Sequence, residues 1–223
     1  MPRKTVIFDL DGTIADTSGD LIAAANAAFA TLGYAPQLEM GRDDATAFAG
    51  GRAMLKLSCE RLDLPDTATV IEDGYPILLR AYGDAIDTHT TLYPGVIDAV
   101  ERLHRANMAV GICTNKPEAL AVTLTQRLGI AELFTSLIGA DTLPTRKPDP
   151  APYFKAVEQA GGSVSHSTLI GDTITDRKTA KAAGVPSVLV TFGPSGQAVA
   201  DLAPEALLDH YDDLDRVLDM ILP

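Results

Sequence analysis

Short apolar runs alternate with longer amphipathic runs through most of this chain. The first apolar run, residues 5–8, is rich in β-branched residues and predicts a buried strand. Later apolar runs predict strands at 109–113, 136–139, 168–170 and 187–191, with a weaker one at 206–208. Apolar positions three and four residues apart predict helices at 95–106, 117–128, 150–161, 174–183 and 212–222. Such alternation is typical of an α/β domain in which right-handed crossovers build a parallel sheet covered by helices on both faces.

The long segment between the first two predicted strands has a helical pattern throughout. Apolar residues recur at helical spacing from Leu21 to Leu32, and Gly33 follows as a stop signal. Further helical runs cover 53–62 and 70–82, with no convincing strand between them. This segment therefore predicts a compact group of helices.

The domain organisation follows from this helical segment, because a structureless loop of such length is rare in a compact protein. We predict a helical cap domain, residues 16–88, inserted into a core formed by residues 1–15 and 89–223. We expect the cap to act as a lid hinged near 14–18 and 86–92, which closes over the strand ends and excludes water.

Composition narrows the class of protein. The 223 residues are 46% hydrophobic and 22% charged, which is typical of a folded globular protein. A formal charge of −12 at pH 7 disfavours nucleic acids and anionic membranes as partners. Cys59 and Cys113 are too few for a disulfide framework and read as buried, reduced thiols. With no signal-peptide pattern and no apolar run long enough to span a membrane, we expect a soluble, cytoplasmic protein.

Polar residues follow the predicted strands at the points where those strands end. Asp9 and Asp11 follow the first strand, and Thr114 and Asn115 follow the second. The remaining residues in such positions are Lys147, in the loop before the helix at 150–161, and Asp172 and Asp176, after the strand at 168–170. Each alone has an ordinary explanation as a helix cap or a solvated charge. Because ligands bind outside the carboxyl ends of parallel strands, their coincidence predicts one site there.

The order of these residues resembles the four motifs of the haloacid dehalogenase (HAD) superfamily. Residues 9–13 match its DxDGT signature. The other matches are the motif-two Thr at Thr114, the motif-three Lys at Lys147 and the GDxxxD acids at Asp172 and Asp176. Within this family the chain looks most like the phosphoglycolate phosphatase-like branch. The resemblance implies a Rossmann-like parallel core with an inserted helical cap, and a Mg²⁺-dependent phosphatase, which is a phosphoric monoester hydrolase.

The resemblance also implies a role for each matching residue. Asp9 would be the nucleophile that forms an aspartyl-phosphate, and Asp11 would protonate the leaving group and then take a proton from water. The implied Mg²⁺ ligands are the Asp9 and Asp172 carboxylates and the backbone carbonyl of Asp11. The implied contacts to phosphoryl oxygens are Thr114, Asn115, Lys147 and strand-end amides such as that of Leu10. Asp176 would orient Lys147 or a metal-bound water.

Other classes of protein share parts of this pattern. Haloacid dehalogenases lack the second acid, so Asp11 argues against them, and phosphonoacetaldehyde hydrolases need a cap lysine. Lys56 is the lysine of the predicted cap, and its helical position favours a solvated role. A β-phosphoglucomutase-like phosphotransferase shares every core motif and stays open. A non-catalytic binding protein on a HAD scaffold would be free to lose the motif residues Asp9, Asp11, Lys147 and Asp172, and this chain keeps all four.

The substrate is expected to be a small phosphate ester that fits under a helical cap. The resemblance nominates 2-phosphoglycolate, whose carboxylate needs a cationic partner from the cap. We choose Arg52 over Arg42 for this role because Arg52 follows Gly50 and Gly51, where the backbone is permissive. The same residues would also suit an ordinary helix start. Whether the protein is a monomer or a homodimer is left open.

Overall fold

The computed structural model describes residues 3–222. The chain forms two compact units, Met1–Ala15 with Leu92–Pro223 and, separately, Asp16–Thr91. The outermost residues of the predicted core, 1, 2 and 223, lie outside the described residues. The chain therefore leaves the first unit after Ala15 and returns to it at Leu92.

The first unit is built on a parallel sheet. Six strands of the described chain form it, in the order β5-β4-β1-β6-β7-β8. Their bounds are β1 Thr5–Phe8, β4 Ala109–Cys113, β5 Ser136–Ile138, β6 Ser167–Gly171, β7 Ser187–Val190 and β8 Ala206–Leu208. The first, second, fourth and fifth of these strands are buried along their whole length, which is why their sequences are continuously apolar or small. The predicted α/β fold with a parallel sheet is confirmed.

The register of the sheet aligns the strand ends that matter for chemistry. β1 lies in the middle, parallel to β4 on one side and to β6 on the other. Phe8, its last residue, is in register with Ile112 and Ile170. The residues that follow these three strands therefore lie at the same edge of the sheet.

Helices cover this sheet and connect its strands. Their bounds are α5 Val96–Arg105, α6 Glu118–Arg127, α7 Ala151–Gln159, α8 Ile174–Ala183 and α9 Leu214–Ile221. All five were predicted, with ends that differ by at most two residues, as is usual where helices fray. Asp149 lies one residue before the cap position of α7, and its Oδ1 accepts the N–H of Ala151 at 2.9 Å.

The second unit is helical, and none of its described residues belongs to the six-stranded sheet. Its helices are α1 Ser18–Thr31, α2 Asp44–Phe48, α3 Gly51–Arg61 and α4 Thr67–Asp84. α4 packs against both α1 and α3. α2 was not predicted, because five residues are too few to show a helical period.

Two short strands mark the places where the chain passes between the units. β2 Ala15–Asp16 and β3 Thr91–Leu92 form a two-stranded sheet. Nearby, the buried Asp20 carboxylate accepts the N–H groups of His89 and Thr90, and the Thr90 hydroxyl at 2.7 Å. The beginning and the end of the helical unit are therefore tied together by one carboxylate.

No helix within residues 3–222 is long and apolar enough to cross a membrane.

One ion pair of the helical unit makes stability depend on pH. The buried Asp43 carboxylate accepts two hydrogen bonds from the Arg61 guanidinium, at 2.6 and 2.8 Å, and the N–H of Glu39. The hydrogen bonds from Arg61 lower the pKa of Asp43 to about 2, against the cost of burial. The ionised form is therefore favoured in the folded state.

We predict that this pair stabilises the protein above pH 4 and that its contribution is lost as the pH falls from about 4 to about 2. The folded pKa lies below the unfolded one, so protonation favours unfolding. The contribution is at most about 2 kcal/mol. Denaturant unfolding of wild type and Asp43→Asn checks this: the stability difference should shrink across that range, and a constant difference would contradict it.

Candidate active site

The site begins at the turn that follows β1. The N–H of Asp9 donates to the Ile170 carbonyl at 2.8 Å, which continues the pairing of β1 with β6. The Leu10 carbonyl then accepts the N–H groups of Ile14 and Ala15, at 2.9 and 3.1 Å. Gly12, with φ +77°, makes this reversal possible, since a residue with a side chain is strained there. Asp9 and Asp11 are therefore held on a tight turn at the sheet edge.

Lys147 joins this turn to the residues after β6. Its Nζ lies 3.0 Å from Asp9 Oδ2 and 2.6 Å from Asp176 Oδ1. The Lys147 side chain is almost completely buried, although the loop that carries it has no regular structure. The structure thus brings together three of the predicted site residues, from positions 9, 147 and 176, through one ammonium group.

Asp176 has a structural task as well as its contact with Lys147. Its Oδ2 accepts the Thr173 hydroxyl at 2.7 Å and the Thr173 N–H at 3.1 Å, which completes a capping box at the start of α8. The ordinary explanation of this residue as a helix cap is therefore correct, and the second oxygen bonds to Lys147. Both oxygens of Asp176 are occupied by groups of the protein.

Asp172 differs from Asp176 in this respect. Its Oδ1 accepts the Thr13 hydroxyl at 3.3 Å. Its Oδ2 is buried and has no hydrogen-bond partner among the described residues. Oxygen atoms of Asp9, Asp172 and Asp176 all lie within 4.8 Å of one another. An unsatisfied buried carboxylate oxygen in such a group fits a site for a hard metal cation.

The electrostatics of the cluster favour a further positive charge. Burial raises the pKa of Asp9 to about 7, and the Lys147 ammonium opposes that rise. Burial also raises the pKa of Asp172 well above its ordinary value, with Asp176 and Asp9 adding to the effect. Burial alone would lower the pKa of Lys147, but the two carboxylates shift it upward overall. Three close carboxylates exceed the charge of one lysine, and a bound cation would compensate the remainder.

The motif-two residues lie at the end of β4, next to this cluster in the sheet. The buried Thr114 donates its N–H to the Ile138 carbonyl at 2.9 Å. Asn115 Nδ2 donates to the Lys147 carbonyl at 2.9 Å, so this side chain supports the loop that carries Lys147. The side-chain nitrogen of Asn115 carries two hydrogens, and the bond to the Lys147 carbonyl uses one of them.

Leu10, whose backbone amide is predicted to contact a phosphoryl oxygen, lies on the turn that follows β1. Its side chain is buried, and its backbone N–H donates to Asp9 Oδ1 at 2.7 Å. The amide that we expected to face a phosphoryl oxygen therefore orients the Asp9 carboxylate in this structure.

The two predicted cap arginines lie in the helical unit, where each forms an ion pair with a glutamate. Arg52, the second residue of α3, pairs with Glu72 at 2.5 Å, and its guanidinium lies 4.6 Å from the centre of the Tyr75 ring. Arg42 is exposed and pairs with Glu39 at 3.5 Å. Arg52 thus contacts both a carboxylate and an aromatic ring.

Two contributors to the site were missed from the sequence. Lys116 Nζ lies 2.8 Å from Asp11 Oδ1, and Lys116 is buried. Tyr211, from the C-terminal part of the chain, donates its hydroxyl to the Thr13 carbonyl at 2.8 Å. Lys116 was visible as a neighbour of Thr114, but nothing in the sequence indicated Tyr211.

Comparisons with known proteins agree with this fold and site. Residues 6–190 match the family model described as haloacid dehalogenase-like hydrolase. A phosphoglycolate phosphatase from Agrobacterium fabrum strain C58 is 35% identical over 209 residues, which cover 92% of this chain and 88% of that protein. A phosphoglycolate phosphatase from Mesorhizobium japonicum is 35% identical over 223 residues, which cover 96% and 94%.

Solved structures show the same architecture at lower identity. The crystal structure of a predicted phosphoglycolate phosphatase from Haemophilus somnus 129pt aligns with a TM-score of 0.81 at 23% identity, covering 96% of this chain and 97% of that one. A HAD-superfamily hydrolase from Geobacter sulfurreducens PCA aligns with a TM-score of 0.73 at 20% identity, covering 97% and 96%. These likenesses concern the fold alone.

The chain therefore belongs to the haloacid dehalogenase-like hydrolase family, and the prediction that it is a phosphatase is confirmed. The predicted resemblance to the phosphoglycolate phosphatase-like branch is confirmed by the same relatives.

We predict that Gly12→Ala lowers phosphatase kcat by at least about tenfold, because it would displace the Asp172 carboxylate. Misplacing a group of an active site by about 1 Å lowers the rate by up to about 10²-fold. A Cβ at position 12 would overlap the Asp172 carboxylate. Gly161→Ala is the matched control, since Gly161 has φ +74° but no neighbouring atom within 4 Å of such a Cβ. Both variants should lose about 1 kcal/mol of stability through backbone strain, while Gly161→Ala keeps its kcat. Equal activities would show that the contact with Asp172 is unimportant.

Proposed function

We propose that this protein is a Mg²⁺-dependent phosphatase that hydrolyses a small phosphomonoester, 2-phosphoglycolate in the first place, through an aspartyl-phosphate on Asp9. The observation that carries the proposal is the joint position of Asp9, Lys147 and Asp172 at the carboxyl edge of the sheet. One carboxylate is paired with a buried ammonium, and another keeps an unsatisfied buried oxygen. This combination suits a dianionic substrate bound beside a cation.

The residues that would hold Mg²⁺ are Asp9 and Asp172, with the backbone carbonyl of Asp11. Their donor atoms are all oxygens, which Mg²⁺ prefers. Asp176 is the less suitable ligand, because Lys147 and the N-terminus of α8 already occupy its two oxygens. When bound, the ion would supply positive charge that offsets the repulsion between a carboxylate nucleophile and a phosphate dianion.

Asp9 is the nucleophile in this proposal. The N–H of Leu10 and the ammonium of Lys147 contact opposite oxygens of its carboxylate, so the side chain is held in one orientation. Its Oδ1 or Oδ2 would form the new bond to phosphorus while the bond from phosphorus to the leaving alkoxide breaks. Preorganisation of the attacking carboxylate lowers the entropic cost of the step.

Asp11 and the surrounding donors complete the reaction. Asp11 gives a proton to the departing alkoxide and then takes one from the water that hydrolyses the aspartyl-phosphate. Lys147, the Thr114 hydroxyl and the remaining amide hydrogen of Asn115 stabilise charge on the phosphoryl oxygens. Asp176 keeps the Lys147 ammonium in place, since their contact measures 2.6 Å.

The proposed substrate follows from the relatives and from the helical segment. Relatives that are 35% identical over almost the whole chain are named phosphoglycolate phosphatases, which supports 2-phosphoglycolate. The helical segment, predicted as residues 16–88, would supply selectivity, with Arg52 as the partner of the substrate carboxylate. Its guanidinium is already ordered by Glu72 and Tyr75, which lowers the entropy lost on binding.

Replacing the nucleophile should abolish turnover. We expect Asp9→Asn to lower kcat by at least about 10³-fold, because an amide keeps the volume but is a very poor nucleophile. Circular dichroism should show an unchanged fold. Asp219→Asn, which removes the same charge from an exposed position in α9, is the control and should be fully active. Substantial turnover by Asp9→Asn would refute the assignment.

Magnesium should bind and stabilise the protein as well as activate it. Dialysis against EDTA should remove activity reversibly, and Ca²⁺ should restore it poorly because it favours larger, looser coordination. Mg²⁺ at 100 times its Kd should raise the unfolding free energy by about 2.7 kcal/mol. Asp172→Asn should lose this stabilisation. Full activity in EDTA would point to dehalogenase-like chemistry.

Selectivity should depend on Arg52. We expect kcat/KM to be higher for 2-phosphoglycolate than for hexose phosphates, and Arg52→Ala to lower it about tenfold or more for phosphoglycolate only. Arg42→Ala is the control, and unfolding midpoints exclude a general loss of fold. Equal rates across the panel would indicate a generalist phosphatase. Phosphoryl transfer to a hexose phosphate instead of water would indicate a mutase.

A further inference from the structure

Two buried lysines divide the acidic residues of the site between them. Lys147 contacts Asp9 and Asp176, whereas Lys116 contacts Asp11. Asp11 is also absent from the group of close carboxylates formed by the acids at positions 9, 172 and 176. The two residues of the DxD pair therefore have different cationic partners, although they are two positions apart.

The backbone around Lys116 is fixed on both sides. Its N–H donates to Thr114 Oγ1 at 3.1 Å, and its carbonyl accepts the N–H of Ala140 at 2.9 Å. The Lys116 side chain is 3% exposed, so little room is left for it to reorient. The ammonium is thus presented to the Asp11 carboxylate from a rigid support.

The backbone around Asp11 is fixed as well. Asp11 forms an isolated bridge with Ala15, and the N–H of Gly12 donates to the Ala15 carbonyl at 2.9 Å. The Asp11 side chain is 19% exposed, in contrast to that of Lys116. The side-chain torsions of Asp11 are therefore its main freedom, and the 2.8 Å contact with Lys116 restricts them.

Stability alone does not account for such a pair. Burying an ammonium next to a carboxylate costs desolvation energy that roughly cancels the attraction between them. A buried pair does, however, select one geometry, since other orientations leave the charges apart. Removing the Lys116 ammonium is therefore expected to change the position of Asp11 and not the fold.

We propose that Lys116 is the positioning residue of Asp11, which it holds away from the other acids and in the orientation needed for proton transfer. This rests on the proposed function, in which Asp11 acts on the aspartyl-phosphate. In that step water attacks phosphorus, Asp11 takes the water proton, and the bond from phosphorus to Asp9 breaks. Inorganic phosphate and a free Asp9 carboxylate result.

The experiment uses p-nitrophenyl phosphate and rapid mixing. p-Nitrophenolate leaves without needing a proton, so formation of the aspartyl-phosphate does not require Asp11, whereas its hydrolysis does. Lys116→Met should therefore release one p-nitrophenolate per active site rapidly and then turn over at least about tenfold more slowly than wild type. Asp11→Asn should behave in the same way, and Lys116→Arg should recover much of the rate.

Lys155→Met is the matched control. Lys155 lies in α7, is partly exposed and pairs with Glu158, so its variant should resemble wild type. If Lys116→Met slows the burst and the later turnover equally, or raises KM alone, the positioning role is overturned. A wild-type enzyme that never phosphorylates Asp9 would overturn the proposed function instead, and acid-quenched samples distinguish the two results.

A second measurement is independent of activity. Unfolding of wild type, Lys116→Met, Asp11→Asn and the double variant in EDTA gives a double-mutant cycle. The double variant should lose less stability than the sum of the single variants, because the contact between Lys116 and Asp11 can be lost only once. Additive losses would show that the two side chains do not interact, and would overturn the inference even if the kinetics changed.

Discussion

The contact of the Lys147 ammonium with Asp9 and Asp176 is the interaction on which this site depends. Three carboxylates cannot share a buried edge of a sheet without a cation, because burial and mutual repulsion both penalise their ionised forms. Lys147 offsets part of that penalty at 3.0 and 2.6 Å. The loop that carries it has no regular structure, and Asn115 supports it by donating to the Lys147 carbonyl. One lysine does not neutralise all of this negative charge, and Asp172 keeps a buried oxygen that lacks a hydrogen-bond partner among the described residues.

The parallel sheet brings these charges together. β1 lies between β4 and β6 with its last residue in register with theirs, so three chain segments end their strands side by side. A one-residue slip would turn every side chain of a strand to the opposite face. Because both faces of these strands are packed, a slip would also put side chains of the wrong volume into each packed position. The packing of the core and the geometry of the site are therefore two consequences of one register.

Further groups then hold each acid in its own place. Tyr211 donates to the Thr13 carbonyl, and the Thr13 hydroxyl contacts Asp172, so the C-terminal part of the chain supports the first turn. The ring of Phe192 packs against the rings of Tyr93 and Tyr211, and its centre lies 4.9 Å from the first and 5.2 Å from the second. Lys116 meets Asp11 in the same region. The acids thus differ in the groups that they contact.

The sequence by itself was enough to predict the order of strands and helices in the α/β unit, the helical segment after the first strand and the acids at the strand ends. These features are local: a buried strand needs an apolar run, an amphipathic helix needs a period near 3.6, and the DxDGT and GDxxxD patterns are contiguous. Only the tertiary structure decided that Lys116 faces Asp11, that Asp176 shares its oxygens between α8 and Lys147, and that Tyr211 reaches Thr13. These contacts join residues up to 198 positions apart and leave no periodic trace in the chain. The physical reason is that a pattern records which face of an element is buried, whereas a charge or a hydroxyl acquires its partner only when separate elements pack together.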